Sequence, residues 1–370
     1  MIPDSLNVFM AMLNFGSLVL LSFLIIANPL QVNKNANYWF GFFLLLWSSF
    51  WLDEIAQITQ WFDTIRRFSD LVLFMQFFTP IIFYLSIVFF TNPDFRFRIA
   101  DLKYLILPFI YLILLMLKQT AETEQQYSFR LISMGLILTQ VLMYAILSYM
   151  LIRRHQKNVL LFASNAIEID LKWLEYIISS ILLVSIVIIV YNVFFNPLSL
   201  NVYVNIFFFT IIYFLAYNSL KQKEIYPLNE TQRKEIISIE EEQSIDLKRK
   251  LIPDSDLVKY KSKLSELMRI QQPYIDSELN LIKLAELINM TPHQLSYIIN
   301  TGFNENFFRF VNNYRVGKAK ELLLKEEMNK LSILGIAFES GFNSKTSFNN
   351  TFKKITGLTP SEFKKSGSTL

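Results

Sequence analysis

Two groups of polar side chains, about fifty residues apart, have the types and spacing needed to form hydrogen bonds with the edges of DNA bases. Each group follows a helix-start signal and lies on the solvent-facing side of an expected helix. Asparagine can form two hydrogen bonds with adenine, and lysine can donate to guanine. The candidate base contacts are His293, Ser296, Tyr297 and Asn300 in the first group, and Lys345, Thr346, Asn349 and Asn350 in the second.

Basic side chains near both groups would contact the phosphate backbone of DNA. Phosphate contacts hold a protein in register without specifying sequence. The candidates are Arg309, Lys318, Lys353 and Lys354. The first expected recognition helix has no Arg or Lys, and His293 has a plain alternative as a solvated residue of the first turn.

The composition argues against metal-dependent and thiol chemistry. The 370 residues include no cysteine and only two histidines, which excludes Cys-ligated zinc and disfavours a His-rich metal site. No convincing set of nucleophile, base and orienting group is present. We therefore expect no enzymatic activity, no metal and no cofactor.

The first polar group is predicted to lie on the second helix of a helix, tight turn, helix pattern. Asn289 and Met290 predict the turn, Thr291 is a good N-cap, Pro292 suits the first helical position, and Gln294 completes a capping box. The expected buried residues are Leu281, Leu284, Ala285, Leu287 and Ile288 in the first helix, and Leu295, Ile298 and Ile299 in the second.

A second unit of the same pattern follows. Gly341 permits a left-handed turn, Phe342 fills the core, and Asn343 or Ser344 caps the second helix. The capping box at 359–362 predicts a short final helix. The expected core residues are Ile333, Ile336, Ala337, Phe348 and Phe352 in this unit, and Phe307, Phe310, Val311, Tyr314, Ala319 and Leu322 in an amphipathic helix between the units.

Residues 275–365 resemble the AraC/XylS-type transcription regulators. The resemblance rests on "LIKLAELINMTPHQLSYIIN", on "NENFFRFVNNYRVGKAKELL", which has Arg315 at the family's linker-helix arginine, and on "IAFESGFNSKTSFNNTFKKITGLTPSEF". It implies two helix-turn-helix units, bridged by a helix, that contact adjacent major-groove segments on one face of double-stranded DNA. Relatives often have arginine where Tyr297 and Asn350 stand. The N-terminal half, a soluble effector domain in most relatives, looks replaced here.

Residues 1–220 predict a bundle of seven transmembrane helices, because their apolar runs approach the roughly 20 residues that a spanning helix needs. The expected cytoplasmic segments hold ten Lys and Arg residues and the outer loops four. By the positive-inside rule, the N-terminus is outside and the C-terminus is in the cytoplasm. The expected spans are 8–27, 38–58, 69–90, 104–117, 131–152, 173–195 and 203–220.

A charged cluster at the expected outer ends of the second and third spans is a candidate ligand site, with ordinary surface ion pairing as the alternative. It consists of Asp53, Glu54, Arg66, Arg67 and Asp70. Aromatic side chains could similarly line a ligand cleft, or simply anchor and pack the bundle. The tryptophans concerned are Trp39, Trp47, Trp51 and Trp61.

Residues 221–272 are predicted to form a polar connector, in which prolines disfavour one rigid helix. A stripe of apolar residues at helical spacing consists of Leu257, Tyr260, Leu264, Leu267 and Met268. This stripe could form a homodimer through 254–272 or pack on the domain that follows.

The sequence therefore predicts an all-α protein with a seven-helix transmembrane bundle at 1–220, a connector at 221–272 and a double helix-turn-helix DNA-binding domain at 273–370. We expect a membrane-tethered transcription regulator of the cytoplasmic membrane. Its partners would be double-stranded DNA, the lipid bilayer, and an unknown signal ligand or protein sensed by the bundle. The alternatives are a factor released by proteolysis in the connector, and a transporter or membrane enzyme with a regulatory DNA-binding tail.

Overall fold

The structure is a computed structural model, and it describes residues 4–52, 55–56, 69–120, 123–166, 169–194, 201–226, 232–234, 236–239, 252–325 and 331–367. Within these ranges the regular structure is helical, and the only strand-like feature is one isolated antiparallel bridge between Ala163 and Asn280. The all-α fold class is therefore confirmed. Four residues of the proposed outer cluster, together with Trp61, lie outside the described residues: Asp53, Glu54, Arg66 and Arg67.

The chain divides into two compact units. Unit 1 comprises Met1–Arg153 and Leu171–Ile225, and unit 2 comprises Arg154–Asp170 and Tyr226–Leu370. Unit 2 thus includes a short segment from the N-terminal half of the chain, 154–170, in addition to the C-terminal part. The division into 1–220, 221–272 and 273–370 stays a prediction.

The helices that begin in unit 1 are numbered α1 to α8 in chain order. A 3-10 turn, Ser49–Trp51, follows α2, and another, Ile99–Leu105, precedes α5. Their bounds are α1 Asp4–Ala27, α2 Lys34–Ser48, α3 Ser69–Phe77, α4 Thr79–Thr91, α5 Ile106–Thr120, α6 Thr123–Phe162, α7 Lys172–Phe194 and α8 Asn201–Lys221.

Five helical segments of the described residues are long and apolar enough to cross a membrane, so the predicted number of seven spans is not confirmed. The spans expected at 38–58 and 173–195 are not among them. Both ranges include residues outside the described ones, and within 38–58 the 15 residues of α2 extend about 22 Å before the 3-10 turn that follows. The five segments are Leu6–Ala27, Asp70–Thr91, Ile99–Thr120, Leu131–Phe162 and Val202–Lys221.

Close helix packing and buried amides hold unit 1 together. A Cβ atom on Gly41 would lie 2.5 Å from Ile26 Cγ1, so glycine is what lets α1 and α2 approach here. The Asn205 side chain accepts a hydrogen bond from Trp51 Nε1 at 2.7 Å, and its backbone oxygen accepts one from Asn14 Nδ2 at 3.0 Å. Trp51 therefore has a packing role, which was one of its two predicted roles.

Asp70 opens the third predicted span, as expected. Its carboxylate lies 3.6 Å from Lys118 Nζ and accepts a hydrogen bond from Gln119 Nε2 at 3.1 Å. Both partners belong to the last turn of α5. The contact between Asp70 and Lys118 is a partly exposed ion pair, of the kind that contributes little to stability, and the ligand site stays a prediction.

Unit 2 contains the helices α9 to α15. A π-helical turn, Ile298–Gly302, extends α11. The bounds are α9 Asp254–Ile270, α10 Leu281–Ile288, α11 Pro292–Tyr297, α12 Phe307–Leu324, α13 Ile333–Glu339, α14 Lys345–Thr356 and α15 Pro360–Gly367.

The apolar stripe of the connector packs on the domain that follows it. Leu264 and Met268 in α9 are fully buried. On the same helix, Lys261 Nζ lies 4.9 Å from the centre of the Phe303 ring, and Lys263 Nζ donates to Ile288 O at 3.3 Å. One of the two predicted uses of this stripe is therefore observed within a single chain, and the homodimer stays a prediction.

Candidate DNA-binding site

The first helix-turn-helix unit follows the predicted pattern with one correction. The Asn280 side chain caps α10 by accepting from Lys283 N at 2.9 Å, and Asn289 ends this helix in the left-handed conformation, with φ 56°. Leu287, which we predicted on the buried face, is 48% exposed, and Ile282 is buried instead. The buried arc of this short helix is thus rotated by roughly 60°, less than a quarter turn, from the predicted one.

The start of α11, the first recognition helix, is held by a reciprocal capping box. Gln294 N donates to Thr291 Oγ1 at 3.2 Å, and Thr291 N donates to Gln294 Oε1 at 3.1 Å. Pro292 occupies the first helical position, where its missing N–H removes no bond. Leu295 and Ile298 are fully buried, so the predicted inner face of this helix is confirmed.

The second unit depends on Gly341, which has φ +88°. A Cβ atom at this position would lie 2.2 Å from Tyr274 O and 2.9 Å from Ile275 Cα, so no other residue fits without backbone movement. The turn places Phe342 in the core, 2% exposed. Ser344, one of the two predicted caps, accepts from Ser347 N at 3.2 Å and starts α14, the second recognition helix.

Arg315 in the linker helix α12 joins several parts of unit 2, although it is only 1% exposed. Its guanidinium donates to Tyr274 O at 2.8 Å and Asp276 O at 2.8 Å, which lie just before α10. It also lies 5.8 Å from the centre of the Phe342 ring in the second unit. One side chain therefore connects the linker helix with residues that flank both helix-turn-helix units.

Arg315 makes its remaining contacts with Ser164, in the segment 154–170. Nη1 donates to Ser164 O at 3.3 Å, and Nη2 donates to Ser164 Oγ at 3.0 Å. Asn312 Nδ2 donates to the same Ser164 oxygen at 3.0 Å, and Ser164 Oγ donates to Leu279 O. Of the four hydrogen bonds of Arg315, two are therefore made with Ser164 in the segment 154–170 and two with the backbone of Tyr274 and Asp276.

Burial lowers the pKa of Arg315 to about 10, while the nearby Asp276 and Glu278 carboxylates act in the opposite direction. The guanidinium stays charged at neutral pH. For Asp276, partial burial raises the pKa, but hydrogen bonds from Lys283 and from Glu278 N outweigh it and the net shift is downward. A buried positive charge of this kind is stable only while its donors are satisfied.

The segment 154–170 has its own small core within unit 2. His155, which is 2% exposed, hydrogen-bonds Ile169 O through Nε2 at 2.9 Å, and Phe162 stacks on Tyr226 at 5.7 Å between ring centres. Sequence reasoning missed this packing and the role of Ser164. A usable signal was present: Arg315 follows Val311 by four residues on the buried face of α12, so it requires buried acceptors.

The candidate base contacts of the second recognition helix are accessible. Lys345, Thr346 and Asn350 are exposed, and Asn349 is half-buried. The inner face of α14 uses Phe348 and other residues for the core, so the candidates lie on the outer face, as predicted.

The candidate base contacts of the first recognition helix are less accessible. Ser296 is 7% exposed and accepts a hydrogen bond from Asn300 Nδ2 at 3.3 Å. His293 Nε2 lies 2.7 Å from Ser238 Oγ, so the connector itself hydrogen-bonds this recognition helix. Tyr297 is half-buried. Ser238 therefore lies against His293, one of the predicted base contacts on α11.

The phosphate candidates differ in how free they are to bind an anion. Lys353 and Lys354 are exposed in the last turn of α14, and Lys318 is half-buried. Arg309 is exposed, but its Nε lies 3.5 Å from Glu305 Oε1 in a surface ion pair. Among the described residues, no group of three or more His, Cys, Asp or Glu side chains is arranged to hold a metal.

The predicted capping box at the last helix is present. Thr359 N donates to Glu362 Oε2 at 2.7 Å, and Glu362 N donates to Thr359 Oγ1 at 3.3 Å. These hydrogen bonds lower the pKa of the Glu362 carboxyl. The cap fixes α15, whose Phe363 packs on Phe352 of the second unit.

Comparison with known proteins identifies the family of this domain. A helix-turn-helix domain family matches residues 284–366. The C-terminal part of the chain is an AraC-type helix-turn-helix domain. The match begins inside α10 and ends in α15, so it includes both units and the linker helix.

Two curated relatives match the same part of the chain. The transcriptional activator RhrA of Rhizobium meliloti is 31% identical over 98 residues, 26% of this chain and 31% of that protein. YtdP of Bacillus subtilis, described as an uncharacterised HTH-type transcriptional regulator, is 28% identical over 105 residues, 28% of this chain and 13% of that protein. The chain thus matches a third or less of the length of either relative.

A solved structure, the C-terminal domain of the response regulator AraT from Geobacillus stearothermophilus, is 27% identical. The match covers 32% of this chain and 88% of that one, with a TM-score of 0.26.

Proposed function

We propose that this protein is a membrane-tethered, sequence-specific DNA-binding transcription regulator that senses a signal through its helical bundle. The observation that carries the proposal is the AraC-type domain, with two capped recognition helices, α11 and α14, joined by α12. Lys345, Thr346 and Asn350 are exposed on α14 and can form hydrogen bonds with bases. Lys353 and Lys354 at the end of α14 supply the phosphate contacts.

The tether to a membrane is supported by five helical segments of sufficient length and apolar character. Their outward side chains are also apolar. Phe109 and Met116 on α5 are 62% and 60% exposed, and Ile146 and Met150 on α6 are 57% and 62% exposed. So large an apolar surface is unfavourable in water and favourable in lipid. The distribution of Lys and Arg supports a cytoplasmic C-terminal domain, which is where the DNA is.

A route from bundle to DNA-binding domain is supported by the position of Ser164. In the proposed topology, residues 154–170 comprise the end of α6 beyond the predicted span 131–152 and the segment after it, on the cytoplasmic side of the membrane before the next span. Ser164 bonds Arg315, which in turn bonds Tyr274 O and Asp276 O before the first unit. A signal that moves this loop would therefore change how the two helix-turn-helix units are held. This is the mechanism we propose for sensing.

The alternative of release by proteolysis receives less support. A cut in the connector, at 228–250, would leave residues 154–170 with the bundle and the AraC-type domain in solution. Departure of the domain would then separate Ser164 from Arg315 and leave buried guanidinium donors without acceptors. Blotting membrane and soluble fractions for the C-terminus decides between the two, since tethering predicts only a full-length, membrane-bound species. For a transporter or membrane enzyme, the described residues offer no supporting observation, and uptake in cells lacking 273–370 tests it.

The decisive experiment uses the full chain in lipid nanodiscs. Selection from random double-stranded DNA should enrich one sequence class, and fluorescence anisotropy should then show log affinity falling linearly with log salt. Asn349→Ala should relax base preference, whereas Lys354→Gln should weaken binding to all sequences alike. Enrichment of no sequence would contradict the proposal.

A further inference from the structure

Unit 1 contains a cavity of about 260 Å³ whose walls are largely apolar, with seven aromatic side chains among the described residues that line it. Phe43 and Phe83 contribute rings 4.9 Å apart, and the Trp47 ring meets Phe208 edge-on at 6.0 Å. No Asp, Glu, Lys or Arg is among the described residues that line it. A charged ligand would lose its hydration there without gaining a counter-charge.

The cavity also contains polar groups that are not fully used. Thr79, at the start of α4, is 7% exposed, and its hydroxyl has no hydrogen-bond partner among the described residues. Gln140, which is 1% exposed, donates from Nε2 to Phe77 O at 3.0 Å. This bond occupies the amide nitrogen and leaves the amide oxygen as an acceptor. Buried polar groups in proteins are normally paired, and this unpartnered hydroxyl belongs to a residue that lines the cavity. Its oxygen has under 1 Å² of accessible surface in the present rotamer, so a rotation about χ1 would turn it toward a ligand.

We propose that this cavity binds a small, uncharged, ring-containing molecule that carries a hydroxyl or N–H group. Its ring would pack between Trp47 and the neighbouring phenylalanines, and its polar group would bond the Thr79 hydroxyl and the Gln140 oxygen. The volume lies just below the range of about 300–1,000 Å³ that holds drug-sized ligands, which limits the molecule to one or two rings. The idea that this molecule is the signal rests on the proposed function. The idea that the cavity binds it is independent of the proposed function.

A lipid acyl chain is a poorer occupant of this cavity. A saturated chain has no donor or acceptor, so it would leave the Thr79 hydroxyl buried and unpaired. Planar rings stack on aromatic walls with a specific geometry that a flexible chain does not reproduce. The two occupants therefore differ in one measurable property, which is whether binding depends on the polar group of the ligand.

The test compares 2-naphthol with naphthalene, which share a ring system and differ in one hydroxyl. The full chain is placed in phosphatidylcholine nanodiscs, and binding is measured by equilibrium dialysis and by the change in Trp fluorescence, with empty nanodiscs subtracted. We expect saturable binding of 2-naphthol and about tenfold weaker binding of naphthalene, the difference that one hydrogen bond makes. Uptake equal to that of empty nanodiscs, or equal affinity for both compounds, overturns the proposal.

Variants place the binding in the cavity. Thr79→Val removes the hydroxyl at constant volume and breaks no bond recorded in the protein, so it should fold normally and weaken 2-naphthol binding about tenfold without affecting naphthalene. The matched control is Thr139→Val on α6, an exposed threonine that does not line the cavity. Ala145→Phe fills the cavity and should abolish binding of both compounds. Binding that is unchanged by Thr79→Val overturns the assigned site.

DNA binding by the protein in the same nanodiscs, measured in the absence of 2-naphthol, tests the proposed function separately. If the chain binds 2-naphthol selectively, in a way that depends on Thr79, but binds no DNA, the proposed ligand site is supported and the proposed regulatory function is contradicted. Sequence-specific DNA binding in a chain without selective 2-naphthol binding supports the regulator and overturns the site.

Discussion

Replacement of Ser164 by alanine should loosen the AraC-type domain, although Ser164 lies more than a hundred residues before it in the chain. The hydroxyl accepts a hydrogen bond from Arg315 Nη2 at 3.0 Å and donates to Leu279 O. The backbone oxygen of residue 164, which accepts from Arg315 Nη1, remains in the variant. The substitution therefore removes two specific hydrogen bonds and leaves a buried N–H of Arg315 without its partner.

The expected loss follows from the nature of these two bonds. A hydrogen bond to a charged group contributes about 1.5–3 kcal/mol and a neutral one about 0.5–1.5 kcal/mol. Ser164→Ala should therefore lower the free energy of opening around Arg315 by about 2–4 kcal/mol. At about 1.4 kcal/mol for each tenfold change, amide hydrogen exchange in α10 and α12 should accelerate roughly 30-fold or more.

Hydrogen exchange with mass spectrometry on the full chain in nanodiscs measures this change locally. The matched control is Ser262→Ala, which removes only an exposed hydroxyl that bonds Val258 O within its own helix. Arg315→Lys should accelerate the same amides, because lysine cannot reproduce the planar set of donors. Combined with Ser164→Ala, it should show a non-additive effect, since the two residues share a bond. Equal exchange in the Ser164 and Ser262 variants would refute the reasoning.

Three further perturbations have defined outcomes. Gly341→Ala would place a Cβ only 2.2 Å from a backbone oxygen at a position with φ +88°, so thermal unfolding should show the free energy of unfolding reduced by more than about 3 kcal/mol. The control Gly317→Ala, in open space on α12, should leave that free energy unchanged or raise it. Ile236→Asp places a charge at a buried position of the connector and should displace Ser238 from His293. If the connector obstructs DNA binding by α11, the affinity of the full chain for DNA, measured by anisotropy, should rise about fivefold or more. A lower or unchanged affinity would count against this obstruction. Lys353→Gln should weaken binding to all sequences and reduce the salt slope by about one.

Local signals in the sequence were sufficient for the helix-turn-helix units. Capping residues act within one turn of a helix, so Thr291 with Gln294, and Thr359 with Glu362, could be identified without knowledge of the tertiary fold. The same holds for Gly341, because a left-handed turn before a buried aromatic residue leaves few alternatives. These features depend on short-range steric contacts and hydrogen bonds, which can be predicted from neighbouring residues in the sequence.

Long-range contacts could not be predicted in this way. The hydrogen bond between Ser164 and Arg315 joins residues 151 positions apart, and no periodic pattern marks a single serine as its acceptor. The number of membrane spans stays unconfirmed, because hydropathy does not show where a helix ends: α2 ends at Ser48 and continues as a 3-10 turn within the predicted span 38–58. The exposure of Leu287 has a similar cause, since a helix of eight residues can rotate its buried arc to suit its neighbours.

The Ser164 contacts also limit how strongly this route can regulate DNA binding. A signal shifts an equilibrium only by the difference in free energy that it makes between two states. If signal-driven movement of residues 154–170 breaks the two bonds from the charged Arg315 guanidinium to Ser164, that difference is at most about 3–6 kcal/mol. Coupling between sites in proteins is commonly about 1–3 kcal/mol, or 5- to 150-fold in affinity. In the proposed mechanism the lower end of the range of about 3–6 kcal/mol gives a graded change in DNA occupancy, and the upper end reaches the roughly 5.5 kcal/mol that shifts an equilibrium from 1:99 to 99:1. Withdrawal of the connector from α11 would add to either.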